Sequence, residues 1–130
     1  MKKVMIFGTF DMIHPGHRNM IEQAKKYGDC LIIVIARDST VEKVKGRLPR
    51  NSEQIRLQAM IDSKLADKVI LGNIGDKFKV IADEQPDVIA LGYDQKIIVE
   101  NLEDRVGKNV HIIRLEEFKP EIYKTSLLLK

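Results

Sequence analysis

Residues 4–17 read Val4-Met5-Ile6-Phe7-Gly8-Thr9-Phe10-Asp11-Met12-Ile13-His14-Pro15-Gly16-His17. Val4 to Phe7 is a short apolar run that Gly8 ends, the pattern of a buried strand. Gly8 lets backbone approach a ligand closely. Pro15 suits the first turn of a helix, where its missing N–H would lack an intrahelical partner in any case. A helix that starts here points its positive end at the strand terminus, where anions bind. His14 and His17 are three apart and can face the same way. A His-x-x-His pair alone also fits a solvated turn or a zinc site. No Cys or third His lies nearby, which leaves zinc the weaker of these alternatives.

The same alternation continues downstream. Met20, Ile21, Ala24 and Tyr27 lie at helical spacings, and Gly28 stops that helix. Cys30 to Ala36 is continuously apolar, which predicts a strand covered on both faces. Residues 37–51 are polar and basic and predict a loop. Ser52 predicts an N-cap for a helix with Ile55, Ala59 and Met60 on one face. Val69 to Leu71 and Val88 to Leu91 predict strands, each ended by a glycine, with a short helix around Phe78, Ile81 and Ala82 that Pro86 closes. Val110 to Ile113 predicts the fifth strand, and Ile97 to Val106 and Thr125 to Leu129 predict helices. Met20, Tyr27 and Met60 read as core, and Cys30 as a buried strand residue.

Strand and helix in alternation predict an α/β fold: one Rossmann-like, doubly wound, parallel five-stranded sheet, a single domain over 1–130. Ligands of such sheets sit outside the carboxyl ends of the strands, where the winding reverses. Pairing of the first and fourth strands would bring Gly8-Thr9-Phe10-Asp11 opposite Gly92-Tyr93-Asp94-Gln95.

Composition bounds the function. The 130 residues are 44% hydrophobic and 32% charged, with a net charge of +3, an ordinary globular balance. The charges are interspersed and Trp is absent, so nucleic acid is not expected as a partner. No apolar run approaches the ~18 residues of a membrane span, and Val4 to Phe7 is too short for a signal-peptide core. With one cysteine, Cys30, the chain has no internal disulfide, which suits the cytoplasm.

Gly8-Thr9-Phe10-Asp11 followed by His14-Pro15-Gly16-His17 resembles the nucleotidyltransferase superfamily of glycerol-3-phosphate cytidylyltransferases, pantetheine-phosphate adenylyltransferases and archaeal-type FAD synthases. Ile35-Ala36-Arg37-Asp38-Ser39-Thr40-Val41, Lys45-Gly46-Arg47, Ser52-Glu53-Gln54-Ile55-Arg56 and Leu91-Gly92-Tyr93-Asp94-Gln95 look most like the FAD synthases. The resemblance implies transfer of a nucleotidyl group from a Mg²⁺–NTP to a small phosphorylated acceptor, with release of pyrophosphate. Its best-fitting form is ATP plus FMN giving FAD. The alternatives are a CTP-dependent cytidylyltransferase and a nucleotide-binding regulatory module without turnover.

The resemblance also implies the site residues. His14 and His17 stabilise the transferring α-phosphate, and Lys43 and Lys45 hold the β- and γ-phosphates, Lys45 counted with the catalytic pair. Gly8, Thr9, Phe10, Asp11 and Gly16 bind the nucleotide or acceptor. Asp11 could hold a loop amide, a phosphate-bound metal or the acceptor. Arg56 reads either as a phosphate- or acceptor-binding group or as an exposed helix residue. Gly92 and Asp94 lie by the base and ribose. Thr125 and Ser126, in Pro120-Glu121-Ile122-Tyr123-Lys124-Thr125-Ser126, meet the terminal phosphates. No dedicated protein metal site is implied, and the superfamily allows a homodimer.

Overall fold

In the computed structural model, which describes residues 2–11, 15–72, 79–91 and 110–115, the first apolar run becomes β1 (Lys3–Gly8). It pairs in parallel on one side with β2 (Cys30–Ile35) and on the other with β4 (Val88–Leu91). β3 (Lys68–Leu71) flanks β2, and β5 (His111–Arg114) flanks β4. The five-stranded order is β3-β2-β1-β4-β5, parallel throughout. The winding therefore reverses between β1 and β4, which meets the condition under which the Gly8 and Gly92 loops share one crevice.

Alternation within β2 explains the two-sided core. Leu31, Ile33 and Ile35 face one apolar cluster with Val4, Ile6, Val88 and Ala90. Helices α1 (Pro15–Lys25) and α3 (Glu53–Ser63) cover that cluster with Ile21, Ala24 and Met60. Ile32 and Val34 face the other cluster with Met5, Ile89 and Leu91, covered by Val80 and Ile81 of α4 (Lys79–Glu84). Each such Ile or Leu, when fully buried, contributes ~1.5–3 kcal/mol. The sheet is thus a rigid platform with every carboxyl end at one edge.

Three expectations need correction. Residues 37–51 are not all loop: Asp38–Lys45 form helix α2, ended by Gly46 in the left-handed region (φ 77°), whose N–H donates to the Glu42 carbonyl at 2.8 Å. The helix is hidden in the sequence because its apolar anchor is small: among its described side chains only Val41 is buried. The inward face of α3 is Arg56, Leu57 and Met60, whereas Ile55 is 57% exposed and Ala59 is also exposed. Tyr27 is 46% exposed rather than core. After α1 ends at Lys25, the N–H groups of Lys26 and Tyr27 bond to Gln23 and Ala24, three residues back, and this tighter turn carries Tyr27 off the buried stripe. Cys30 is partly buried. The helices expected at Ile97 to Val106 and Thr125 to Leu129 lie outside the described residues.

Candidate functional site

At the carboxyl end of β1, the ladder continues one step as the Ala36 N–H donates to the Gly8 carbonyl at 2.9 Å. The chain then turns sharply. Phe10 adopts φ 49°, the left-handed region that non-glycine residues rarely occupy. The turn swings its ring back over Gly8, where a Cβ would stand 2.5 Å from the ring. Phe10 is only 3% exposed although it sits in a loop, and its ring meets that of His17 edge-on at 4.9 Å between centroids. His17 is the third residue of α1, whose first turn holds no acidic side chain. The positive end of the α1 dipole therefore faces the β1 terminus unneutralised by its own side chains.

Asp11 is held by the segment before α3. Its carboxylate accepts the N–H of Arg50 at 2.7 Å and of Asn51 at 2.8 Å, and the Asn51 side-chain amide donates to the Asp11 carbonyl at 2.7 Å. Of the roles open to Asp11, the holding of loop amides is the one present here. Asn51 was not singled out in the sequence, although an Asn beside the Ser52 N-cap is itself a turn signal. Ser52 caps as expected, its hydroxyl accepting from the Ile55 N–H.

Arg56 is not an exposed helix residue: it is 1% exposed. Its guanidinium donates to the carbonyls of Asn51, Thr9 and Ala36 and to the Asp38 carboxylate, at 2.7–3.0 Å. One side chain thus ties the ends of β1 and β2 to the starts of α2 and α3. Beside it, α2 and α3 cap each other. The Asp38 N–H donates to the Glu53 carboxylate and the Glu53 N–H donates to the Asp38 carboxylate. Arg37 bridges to Glu53 at 2.8 Å and to the Gly72 carbonyl at 2.7 Å. The sequence signal for this brace was an acidic residue in the first turn of each helix.

Lys43 and Lys45 are exposed and stand in the last turn of α2, not in a free loop. Two residues apart on a helix, they are separated by about 200° around its axis. His14, Gly92, Asp94, Thr125 and Ser126 lie outside the described residues, so the structure brings together Gly8, Thr9, Phe10, Asp11, Gly16, His17 and Arg56. A cavity of about 230 Å³ lined by Lys25, Gly28, Cys30, Lys64 and Asp67, among others, shares no residue with this cluster.

Two carboxylates of the brace are tuned. Burial pushes the Asp11 carboxyl up, but the N–H groups of Asn51 and Arg50, the Asn51 side chain and the Arg56 charge together hold it below its ordinary value. The Asp38 N–H and the Arg37 guanidinium hold Glu53 below its own. A lowered folded-state pKa means that, in the acid range, the unfolded chain binds more protons. The stabilisation is therefore complete above the ordinary carboxylate range and is lost as pH falls through the lowered values. We expect melting temperature to drop in acid less steeply for Asp11→Asn and Glu53→Gln than for the wild type. Parallel pH profiles for all three proteins would show that these carboxylates do not stabilise the fold.

Residues 5–127 match the cytidylyltransferase-like family model. A protein named FAD synthase from Thermoplasma acidophilum is 38% identical over 133 aligned residues, covering all of this chain and 93% of the relative. Another FAD synthase, from Methanohalophilus mahii, is 41% identical over 88% of this chain and 82% of its own length. A crystal structure described as the lipopolysaccharide core biosynthesis protein from Thermoplasma volcanium superposes with a TM-score of 0.85 at 38% identity, covering 92% of this chain and 99% of that one.

Proposed function

We propose, on the premise that the chain belongs to the cytidylyltransferase-like family, that it is an adenylyltransferase that makes FAD from ATP and FMN. A phosphate oxygen of FMN attacks the α-phosphorus of ATP, the bond from that phosphorus to the bridging oxygen breaks, and pyrophosphate leaves. The attacking phosphate is already anionic, so the reaction needs positioning and charge stabilisation more than a general base. The observation that carries the reading is the His17 imidazole on the first turn of α1, beside the end of β1 where the sheet reverses its winding. Similarity to FAD synthases over 88–100% of this chain supports the choice of ATP and FMN.

In this reading His14 and His17 donate hydrogen bonds to the α-phosphate oxygens as charge builds there, and the α1 dipole adds to them. The β1–α1 turn from Gly8 to Asp11, with Gly16, surrounds the phosphates. Gly92 and Asp94 take the base and ribose, and Thr125 and Ser126 the terminal phosphates. The divalent cation, Mg²⁺ by preference, belongs to the Mg²⁺–ATP substrate. Among the described residues no group of three His, Cys, Asp or Glu side chains could hold a metal ion, and the Asp11 carboxylate is engaged by two N–H groups. No described helix is long and apolar enough to cross a membrane. Cytoplasmic residence, no nucleic-acid partner and an optional homodimer complete the reading.

Incubation with Mg²⁺–ATP and FMN, followed by chromatography, is the direct test. FAD and pyrophosphate should form, with CTP a poorer donor. CDP-glycerol from CTP and glycerol 3-phosphate, without FAD from ATP, would replace this reading with a cytidylyltransferase one.

Lys45 provides a separate check. Only a triphosphate reaches the end of α2, so Lys45→Ala should weaken ATP binding far more than AMP binding. Because Lys43 and Lys45 leave α2 in different directions, their alanine variants should differ in effect. The Lys45 contribution should also fall with salt, since an exposed charge is screened beyond about 8–10 Å. Equal losses for ATP and AMP would remove Lys45 from the phosphate clamp.

A further inference from the structure

We propose that Phe10 is a positioning residue for His17, its ring fixing the imidazole in the orientation that meets the α-phosphate. The inference rests on the role given to His17 above and goes beyond it by naming what aims that group. A histidine ring turns about a broad, roughly two-fold torsion, so a helix backbone alone does not set its plane. Here the Phe10 ring lies edge-on to it, with an interplanar angle of 69°.

That contact exists only because the backbone is held in an unfavourable conformation. Phe10 sits at φ 49°, and a left-handed phenylalanine persists only where its surroundings enforce it. Both of its neighbours are pinned. The Thr9 carbonyl accepts from Arg56, and Asp11 is clasped by Arg50 and Asn51. Gly8 supplies the space, since a Cβ there would stand 2.5 Å from the ring. An aromatic side chain two residues beyond a parallel strand in a ligand crevice is well placed to stack on a base. This one is 3% exposed and turned inward, so its ring serves the protein rather than a ligand.

The test is a double-mutant cycle with FAD formation as the assay. Phe10→Leu keeps an apolar side chain of similar reach but removes the ring. It should lower kcat by about tenfold to a hundredfold, the scale of a small misplacement of a catalytic group, and shift KM for ATP by no more than about twofold. In a His17→Asn background the same change should lower kcat by less than about twofold, because the group it acts through is gone. Gly8→Ala keeps the ring but displaces it. It should reproduce the kcat pattern in the two backgrounds, read at saturating ATP because Gly8 itself borders the phosphates, and carry the cycle if Phe10→Leu does not fold.

Equal kcat losses in both backgrounds would mean that Phe10 acts through the general fold, and would overturn the proposal. So would an unchanged kcat in Phe10→Leu. The NMR resonances of the His17 imidazole give a readout independent of turnover. Removal of the neighbouring ring must shift them, and unshifted resonances would deny the contact. Normal turnover in His17→Asn alone would instead strike at the role of His17, a result distinguishable from both.

Discussion

His17→Asn should lower kcat about a hundred- to a thousandfold, the usual loss when one donor preorganised for transition-state charge is removed. Asparagine keeps an N–H donor but is shorter than imidazole and cannot become a cation. The position matters as much as the group. His17 lies on the first turn of α1, at the positive end of the helix dipole, with its Nδ1 buried and its ring against Phe10. KM for ATP should move little, because ground-state and transition-state contacts separate in the kinetics. Some stability should also be lost, since an edge-on aromatic pair contributes ~0.5–1.5 kcal/mol beyond the area it buries. Steady-state kinetics and thermal melting of one variant decide the matter. A kcat within a few-fold of wild type, accompanied by a lowered melting temperature, would make His17 a packing residue and take it out of the chemistry.

The difference between what could be read from the chain and what could not follows from the range of the interactions. The β1–turn–α1 unit was legible because every signal in it is local: four apolar residues, a glycine, then proline at the first helical position. The parallel sense of the sheet followed from the general rules for alternating strands and helices, whereas the strand order, set by pairings between distant segments, comes from the structure. Helix α2 is hard to see in the sequence because Val41 is its one buried apolar residue among the described side chains, too little for a helical stripe, and because Lys43, Lys45 and Arg47 resemble a solvated charge run.

Arg56 was the hardest to read. A charged residue on a helix gives no local sign of facing inward, and its acceptors Thr9, Ala36 and Asn51 lie 47, 20 and 5 residues away. Phe10 presented the converse case: the aromatic was evident, but its direction depends on a left-handed φ that the sequence does not display.

Arg56→Met isolates the guanidinium, because methionine replaces much of the apolar stem and leaves no donor. The Thr9, Ala36 and Asn51 carbonyls then lose their charged partner, as does Asp38. A buried acceptor left unsatisfied costs about 1–3 kcal/mol. The Asp38 side chain is 31% exposed and can be re-solvated, and the three residues bearing the carbonyls are only partly buried, so the low end applies to each. The sum, about 3–5 kcal/mol, is a large share of the ~5–15 kcal/mol that holds a domain together. Melting temperature should fall by roughly 10 °C or more.

Arg56→Lys should fall between Arg56→Met and wild type, since one ammonium keeps the charge but cannot span acceptors on four segments. Catalysis should fail together with the fold, because the Thr9 turn that carries Phe10 onto His17 loses its anchor. Melting like wild type, with weakened ATP or FMN binding, would make Arg56 a ligand-binding group. A large stability loss, with KM for both substrates nearly unchanged in the fraction that still folds, assigns it instead to the joint between the two strand ends and the two helix starts.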